Sequence, residues 1–456
     1  MAVGLDMSFR LQLFVGRLSQ SAFVRNVLVV VSGTAVAQII GFALSPVISR
    51  LFSASDFGVF GSFGAVLAVI TAGVTLEYSQ AIMLPTDKGD AMNLFVVSCL
   101  AMALITAACL VACLIAPATV HGLVKVRGGW MLALLVAATV SAGLNQACQA
   151  WCVRVKAFKH TSASQVVRSV ASNGMQIGLG SVNAGGTGLI VSSVLADVLA
   201  SVNLGRVLLQ DLLALRQTIR WKRMQQLMKE YRDFPTYSAS QNVINALSVG
   251  LPIFLLTHFY GIGVAGSYAF GGRILQAPMN LVLRALRQVL FQKAGETQHQ
   301  GNPLFPLYVK STVGLVAVAL LPALVLVVCA PPLFVWVFGA KWQTAGEFAR
   351  YLVVWLLTAF SSLPADLFAR LIRIQRTIFF CDLLKLAARA LVLAVGGLCL
   401  TALQSVILFS VVGAVMNAAV ILLVGHAVAK RERERQRGDI LVEDYPILAP
   451  MPADEK

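Results

Sequence analysis

NVLVVVSGTAVAQIIGFALSPVISRLFSASDFGVFG, residues 26–61, is a long apolar run, a polar turn and the start of a second apolar run. The first run carries Gly33, Gln38, Gly41 and Pro46 and ends at Arg50-Leu51-Phe52; the turn is Ser53 to Asp56, and Phe57-Gly58-Val59-Phe60-Gly61 follows. The pattern returns 206 to 208 residues later as Gly250-Leu251-Pro252, Phe259-Tyr260-Gly261 and Gly266-Ser267-Tyr268, so that Pro252 answers Pro46 and Gly266 answers Gly58. A span, turn and span recurring half a chain later suggest a duplicated helical bundle.

Composition points the same way. Only 12% of the 456 residues are charged and 58% are hydrophobic, whereas a soluble domain carries about 25% charged residues. Apolar runs of roughly 20 residues recur throughout, the mark of a polytopic helical membrane protein, and the alternation of a transmembrane barrel is absent. No apolar run long enough for a cleavable signal precedes the first span, and Phe9, Leu13 and Phe14 beside Arg10 and Arg17 suit either an interfacial helix or an unordered leader. The eight cysteines lie inside apolar runs without a Cys-x-x-Cys or Cys/His cluster, so they read as small packing residues and no metal site is expected.

Twelve spans are expected, at about 26–50, 57–84, 91–116, 129–153, 162–182, 186–208, 236–260, 264–291, 307–330, 345–369, 377–400 and 403–428. Most of the 36 lysines and arginines fall at the N-terminus, the even-numbered connections and the C-terminal tail, whereas the odd-numbered connections hold only Arg50, Lys125, Arg127 and Lys341. That asymmetry places both termini in the cytoplasm and accounts for the net charge of +16 without any nucleic-acid partner. The organisation follows: a leader over 1–25, a six-helix lobe over 26–208, an amphipathic cytoplasmic linker over 209–235, a second six-helix lobe over 236–428 and a cytoplasmic tail over 429–456. Six spans per lobe make this a parallel repeat around a central cavity. The tail opens with Lys430-Arg431-Glu432-Arg433-Glu434-Arg435, a juxtamembrane anchor to anionic lipid.

A charge in hydrocarbon costs roughly 2.5–3.5 kcal/mol on insertion scales, so ionisable residues inside spans should face the bundle interior or water. Arg273, Gln276, Asn280, Arg284 and Arg287 follow helical steps and share one face of span eight. Ser141, Asn145, Gln149, Cys152 and Lys156, with Arg154 nearby, form a stripe on span four; Ser164, Arg168, Ser172 and Gln176 one on span five. Tyr237, Gln241, Asn245 and Ser248 form a fourth on span seven, and Asp382, Lys385 and Arg389 a fifth on span eleven, while span two contributes Glu77 and Tyr78. Each stripe alone also suits interhelical hydrogen bonding, and Arg154, Arg168, Arg284 and Arg287 are placed to snorkel to the interface. Together they suggest an electropositive, water-filled cavity open to the cytoplasm, with Arg273 and Arg389 deepest. Such a cavity calls for an anion, and arginine forks suit phosphate oxygens.

These residues also carry a resemblance. Arg50-Leu51-Phe52 with Asp56-Phe57-Gly58-Val59-Phe60 resembles the first hairpin of Wzx-type polysaccharide flippases, in the multidrug/oligosaccharidyl-lipid/polysaccharide exporter superfamily. Glu77-Tyr78-Ser79-Gln80-Ala81-Ile82-Met83-Leu84-Pro85 resembles that family's Tyr-Glu-x-Ala-Ile-x-Leu-Pro motif with Glu and Tyr exchanged. Phe338-Gly339-Ala340-Lys341-Trp342 is similar to its Phe-Gly-x-x-Trp turn, and Gly266-Ser267-Tyr268 through Arg273 and Pro278 to its span-eight pattern. The resemblance covers roughly residues 23 to 428. It implies two six-helix lobes in a bacterial inner membrane and movement of an undecaprenyl-diphosphate-linked oligosaccharide, an O-antigen or exopolysaccharide repeat unit, from the cytoplasmic to the periplasmic leaflet by alternating access. It also implies a polysaccharide polymerase and a chain-length regulator as partners. Arg273, Arg284, Arg389 and Lys385 would then meet diphosphate and sugar, with Arg168, Arg154, Asn280, Gln149, Asn145 and Gln241 lining the cavity. Glu77 would balance charge or couple transport to a H+ or Na+ gradient, and Arg50 and Pro46 would belong to the periplasmic gate. No cofactor is expected.

Three rivals are weaker. A drug/cation antiporter should show cavity carboxylates, but Glu77, Asp197, Asp366 and Asp382 are outnumbered by basic groups. Lipid II flippases carry extra spans and an Arg-Asp pair where this chain has Leu44-Ser45. A membrane polymerase or ligase would need a large periplasmic loop with catalytic Arg or His, and the five histidines are scattered, so no enzyme is expected. The charge asymmetry predicts that a topology reporter fused after Lys456 reads cytoplasm; a periplasmic signal there would overturn the assignment.

Overall fold

Hydrocarbon offers no hydrogen-bond partner to the backbone, so apolar runs of this length must close their bonds internally as helices. The computed structural model describes residues 22–115, 122, 129–300, 302–372 and 374–436, and among these every regular element is helical. The long helices are α1 (Ala22–Leu51), α2 (Ala54–Gly73), α4 (Lys88–Ile115), α5 (Gly129–Arg154), α6 (Phe158–Ser181), α7 (Gly185–Leu215), α9 (Ala239–Tyr260), α10 (Ile262–His299), α11 (Leu304–Phe338), α12 (Gln343–Ser361), α14 (Gln375–Cys399) and α15 (Ala402–Gln436). Short helices α3 (Tyr78–Ala81), α8 (Trp221–Glu230) and α13 (Leu363–Leu371) interrupt the series. Nine candidate membrane spans among the described residues are apolar enough to cross a bilayer. The long helices outside that set are α6, α10 and α14, of 24, 38 and 25 residues. Their length suffices to span about 30 Å; what lowers their hydropathy is the stripes of Arg168, of Arg273 to Arg287 and of Asp382 to Arg389. The expected leader up to residue 21, Lys125, Arg127 and the tail from residue 437 lie outside the described residues.

The helices depart from the expected spans where the backbone has a reason to break. Span two does not run to residue 84: α2 stops at Gly73, and Leu76 (φ 48°) and Glu77 (φ 59°) are left-handed before α3 begins. Thr75 fastens the break, its hydroxyl donating to Gln146 Oε1 at 3.0 Å and lying 3.0 Å from the Ser79 hydroxyl. The candidate span of Ala340–Leu371 covers the expected span ten, but its helix breaks after Ser361 because Pro364, in the first turn of α13, cannot donate to the Phe360 carbonyl and would clash with it. The linker is also not one helix. α7 continues to Leu215, a 3-10 turn takes Arg216–Thr218, and only Trp221–Glu230 forms a separate amphipathic helix. Asn93 pins the turn, donating to the Thr218 carbonyl at 3.0 Å and accepting from the Arg220 amide at 3.1 Å. At the other end, α15 carries Lys430 to Gln436 as helix, so the start of the tail is ordered.

The chain forms two compact units: one of Met1–Leu51 with Val66–Ala246, the other of Phe52–Ala65 with Leu247–Lys456. The boundaries fall within α2 and α9. In the first unit, small residues bring α1 onto α6: a methyl group at Gly33 would lie 1.8 Å from the Ser162 hydroxyl, and Ser169 donates to the Ala37 carbonyl at 2.6 Å. Pro46 removes the amide that would have bonded the Phe42 carbonyl, and the Ser45 hydroxyl takes that carbonyl at 2.6 Å. A buried core of Met92, Leu94, Phe95, Trp151, Cys152 and Leu204 receives Met224 and Leu227 from α8. Asp90 meets Arg223 through both carboxylate oxygens at 2.7 and 2.6 Å and holds that guanidinium above its ordinary pKa.

In the second unit, Phe52, Phe57, Phe270, Phe334, Phe338 and Trp342 stack edge to face or tilted, with centroids 3.9 to 6.5 Å apart. Lys341 closes over them by donating to the Phe52 carbonyl at 2.8 Å. Beside this cluster α2 crosses α10 at contact distance: a methyl group at Gly266 would lie 1.7 Å from the Ala54 carbonyl oxygen and 2.6 Å from the Gly58 amide nitrogen. A second core gathers Tyr308, Phe360, Phe368, Val420 and Val424, with the Tyr308 hydroxyl on the Ile421 carbonyl at 2.6 Å.

The crossing generates a test. Gly266→Ala should destabilise the protein by roughly 1–3 kcal/mol, the usual cost of overpacking, while Gly64→Ala, where nothing lies within 4 Å, should be neutral. Unfolding midpoints of the purified variants in detergent check both.

Candidate functional site

The same physical requirement that shapes the helices sorts the basic residues. A buried or membrane-embedded cation must find a carboxylate, a carbonyl, an aromatic face or a ligand. In the first unit, Arg154 and Arg168 of the expected site have both found protein partners. Arg154, at the end of α5, donates to the carbonyls of Ile82 and Asp87 at 2.8 and 3.1 Å and so ties down the chain after α3. Arg168 on α6 meets Asp197 on α7 as a two-point ion pair, Nε to Oδ1 and Nη2 to Oδ2, the latter at 3.3 Å. Gln149 donates to Asn145, which donates to Ser201 at 3.3 Å, and Ser201 reaches the Ser141 carbonyl at 3.2 Å. That chain joins α5 to α7. Gln241 is exposed on α9, and Asn242, one position off the stripe, hydrogen-bonds the buried Glu77. Pro46 is half-buried within α1, and Arg50 stands exposed at its end.

The second unit differs. Lys385 pairs with Asp382 one turn away at 2.7 Å, a local ion pair of modest worth. Arg389, one turn further along α14, is only 9% exposed, yet among the described residues it has no acidic partner and its Nε atom has no hydrogen bond. Two rings hold it instead: its guanidinium carbon lies 4.4 Å from the centroid of Trp355 on α12 and 4.2 Å from that of Phe409 on α15. The Tyr268 ring touches Phe409 at 6.2 Å. Tyr268 and Arg273 share α10, and the Arg273 guanidinium sits 5.9 Å from the Phe60 ring, also without an acidic partner among the described residues. Unlike Arg389, Arg273 is accessible to solvent, as a cation facing a water-filled space would be. Asn280 is exposed further along α10, and the side chain of Arg284 lies outside the described residues.

The arrangement therefore offers Arg389, held between two aromatic faces, and Arg273, beside one, neither with an acidic partner among the described residues, on helices linked through Tyr268 and Phe409. Aromatic faces attract a cation without cancelling its charge, so such a guanidinium remains able to take an oxyanion. Trp355 and Phe409 are not recognisable from the sequence. They sit in apolar runs where periodicity gives an aromatic ring no mark that separates it from core. Asn242 escapes for a related reason, being about 100° around the helix from Gln241.

Residues 47–347 match the profile of the polysaccharide biosynthesis protein family. No curated protein matches the sequence closely enough to count as a relative. Among solved structures, the fold is similar to that of an inward-facing multidrug resistance MATE family transporter of the MOP superfamily (13% identity, 87% of this chain and 96% of that chain, TM-score 0.68). It is also similar to that of the lipid II flippase MurJ in an inward closed conformation (12% identity, 90% and 93%, TM-score 0.64) and of a mutant of the Vibrio cholerae MATE transporter VcmN (14% identity, 94% and 99%, TM-score 0.52). The chain thus belongs to the polysaccharide biosynthesis protein family and is a multi-pass membrane protein with the fold of the MATE transporters and the lipid II flippase.

Proposed function

We propose that the protein is a flippase for undecaprenyl-diphosphate-linked oligosaccharide, carrying an O-antigen or exopolysaccharide repeat unit from the cytoplasmic to the periplasmic leaflet of a bacterial inner membrane. The observation that carries the reading is Arg389: a buried guanidinium held by two aromatic faces, with no acidic partner among the described residues, in a member of a polysaccharide biosynthesis family. A diphosphate supplies the missing counter-charge, and Arg273 supplies a second cation on the helix linked to it. The long α6, α10 and α14, added to the nine apolar spans among the described residues, support twelve crossings, an even number that leaves both termini on one side, and the asymmetry of lysine and arginine makes that side the cytoplasm. Gln149, half-buried at the end of its polar chain, suits contact with a sugar hydroxyl. The family match weighs for a sugar-bearing lipid over a drug cation, and the surplus of arginine over carboxylate weighs the same way.

Glu77 is the residue proposed to link transport to a H+ or Na+ gradient. It is buried, it sits where the helix is broken, and its carboxylate has Asn242 as partner. A polysaccharide polymerase and a chain-length regulator would act on the delivered unit at the far leaflet.

Charge-assisted hydrogen bonds are worth about 1.5–3 kcal/mol, so Arg389→Ala should lower translocation of lipid-linked oligosaccharide in proteoliposomes by roughly 10- to 100-fold. Arg389→Lys, which keeps the charge but loses the planar fork, should fall in between. An unchanged rate in Arg389→Ala, with the protein inserted and folded, would sink the assignment. Glu77→Gln should remove the dependence of the rate on an imposed ion gradient while leaving binding of the lipid intact.

A further inference from the structure

α14 has a second functional face. Beginning one residue into the helix, Arg376, Phe380 and Leu384 form a row at i, i+4 and i+8, about 12 Å long at 1.5 Å per residue. Thr377 and Cys381 stand beside that row, and the five residues line a groove of about 480 Å³. Arg376, Thr377, Phe380 and Leu384 are exposed; Phe380 is 56% and Leu384 58% exposed. Arg376 has no acidic partner among the described residues. At about 100° per residue the centre of this groove lies roughly 110° around the helix from Lys385 and roughly 150° from Arg389. One helix therefore carries an apolar groove with a cation at its end on one side and the buried cation on the other.

A groove with this polarity fits an amphipath lying parallel to the helix. Its anionic end would meet Arg376 in the first turn, and its hydrocarbon would run along Phe380 and Leu384. The apolar contribution is ordinary: burying apolar surface stabilises by about 25 cal/mol per Å². The charge at one end fixes the direction in which the chain lies.

We propose that this groove on α14 is a waiting site for the polyprenyl diphosphate carrier, Arg376 taking the phosphate and Phe380 and Leu384 the isoprenoid chain, before the headgroup passes to Arg389 on the other side of the same helix. The proposal rests on the flippase reading, since it assigns the lipid half of that substrate to a place.

The test is photolabelling of the full chain reconstituted in phosphatidylcholine vesicles, with a diazirine-bearing polyprenyl diphosphate as probe and a diazirine-bearing phosphatidylglycerol as the comparison. The expected result is isoprenoid label concentrated on the peptide from Arg376 to Lys385, about tenfold above that from phosphatidylglycerol, corresponding to about 1.4 kcal/mol of preference. Leu384→Trp, which fills the groove, should cut the label about tenfold, while Leu199→Trp on the exposed side of α7 should not. Arg376→Gln should lower labelling by the diphosphate but not by a diazirine-bearing polyprenol. Equal labelling by the two lipids would show bilayer lipid alone in the groove and overturn the proposal, as would label that survives Leu384→Trp. Unfolding midpoints equal to wild type exclude misfolding of either variant. The two readings separate cleanly. Label retained in Arg389→Ala with transport lost supports both, and label on α14 of a protein that moves no oligosaccharide leaves the groove standing while the flippase reading falls.

Discussion

The backbone of this chain answers to one constraint: a group that would hydrogen-bond water must find its partner inside the protein. The backbone obeys by being helical, and where the helices break, side chains step in. Ser45 takes the carbonyl that Pro46 cannot reach. Thr75 and Gln146 clasp the break after Gly73. Asn93 satisfies both a donor and an acceptor at the turn before α8. These side chains are the cost of interrupting a helix in a medium that gives nothing back, and they mark where the fold departs from uninterrupted spans.

Applied to charge, the constraint separates residues that look alike in the sequence. Arg154 and Arg168 are committed to carbonyls and to Asp197, and removing those bonds would loosen the first unit. Arg389 is held differently. A cation–π contact is worth about 0.5–2 kcal/mol, so two faces contribute roughly 1–4 kcal/mol against an insertion cost of roughly 2.5–3.5 kcal/mol. The terms come close to balancing. The guanidinium is tolerated on its rings alone, yet an anion that brings stronger, charge-assisted bonds still gains by binding it. A carboxylate in the same place would have satisfied the arginine fully and left it with nothing to offer.

Much of this is legible in the sequence. The apolar runs and the polar stripes depend on periodicity along one helix, which a sequence displays directly. Arg273 and Arg389 stand out as candidate cations on that basis. What periodicity cannot display is a partner from another helix. Nothing in the neighbourhood of Arg168 announces Asp197, 29 residues on, and nothing around Arg389 announces Trp355 or Phe409. Nor does it display accessibility, so Arg273 and Arg389 read alike although one meets solvent and the other is buried. The break at Leu76 and Glu77 is hidden for another reason: neither residue favours the left-handed region, so the usual glycine signal is missing. The long linker misleads because its basic and apolar residues pattern as one helix, while a single asparagine 127 residues earlier in the chain breaks it.

The crossing of α2 over α10 has a consequence of its own. Gly58 and Gly266 are counterparts in the repeat expected from the sequence, and they touch each other. In an assembly of identical subunits a residue meets its own copy only beside a two-fold axis, where the contact is isologous. A half-length ancestor with one such glycine would have laid it against the same glycine of a second molecule, both too close to admit a side chain. Gene fusion would then have turned a homodimer contact into an intramolecular one. A side chain at either glycine would run into the backbone of the facing helix, so neither position can take one without parting the two helices.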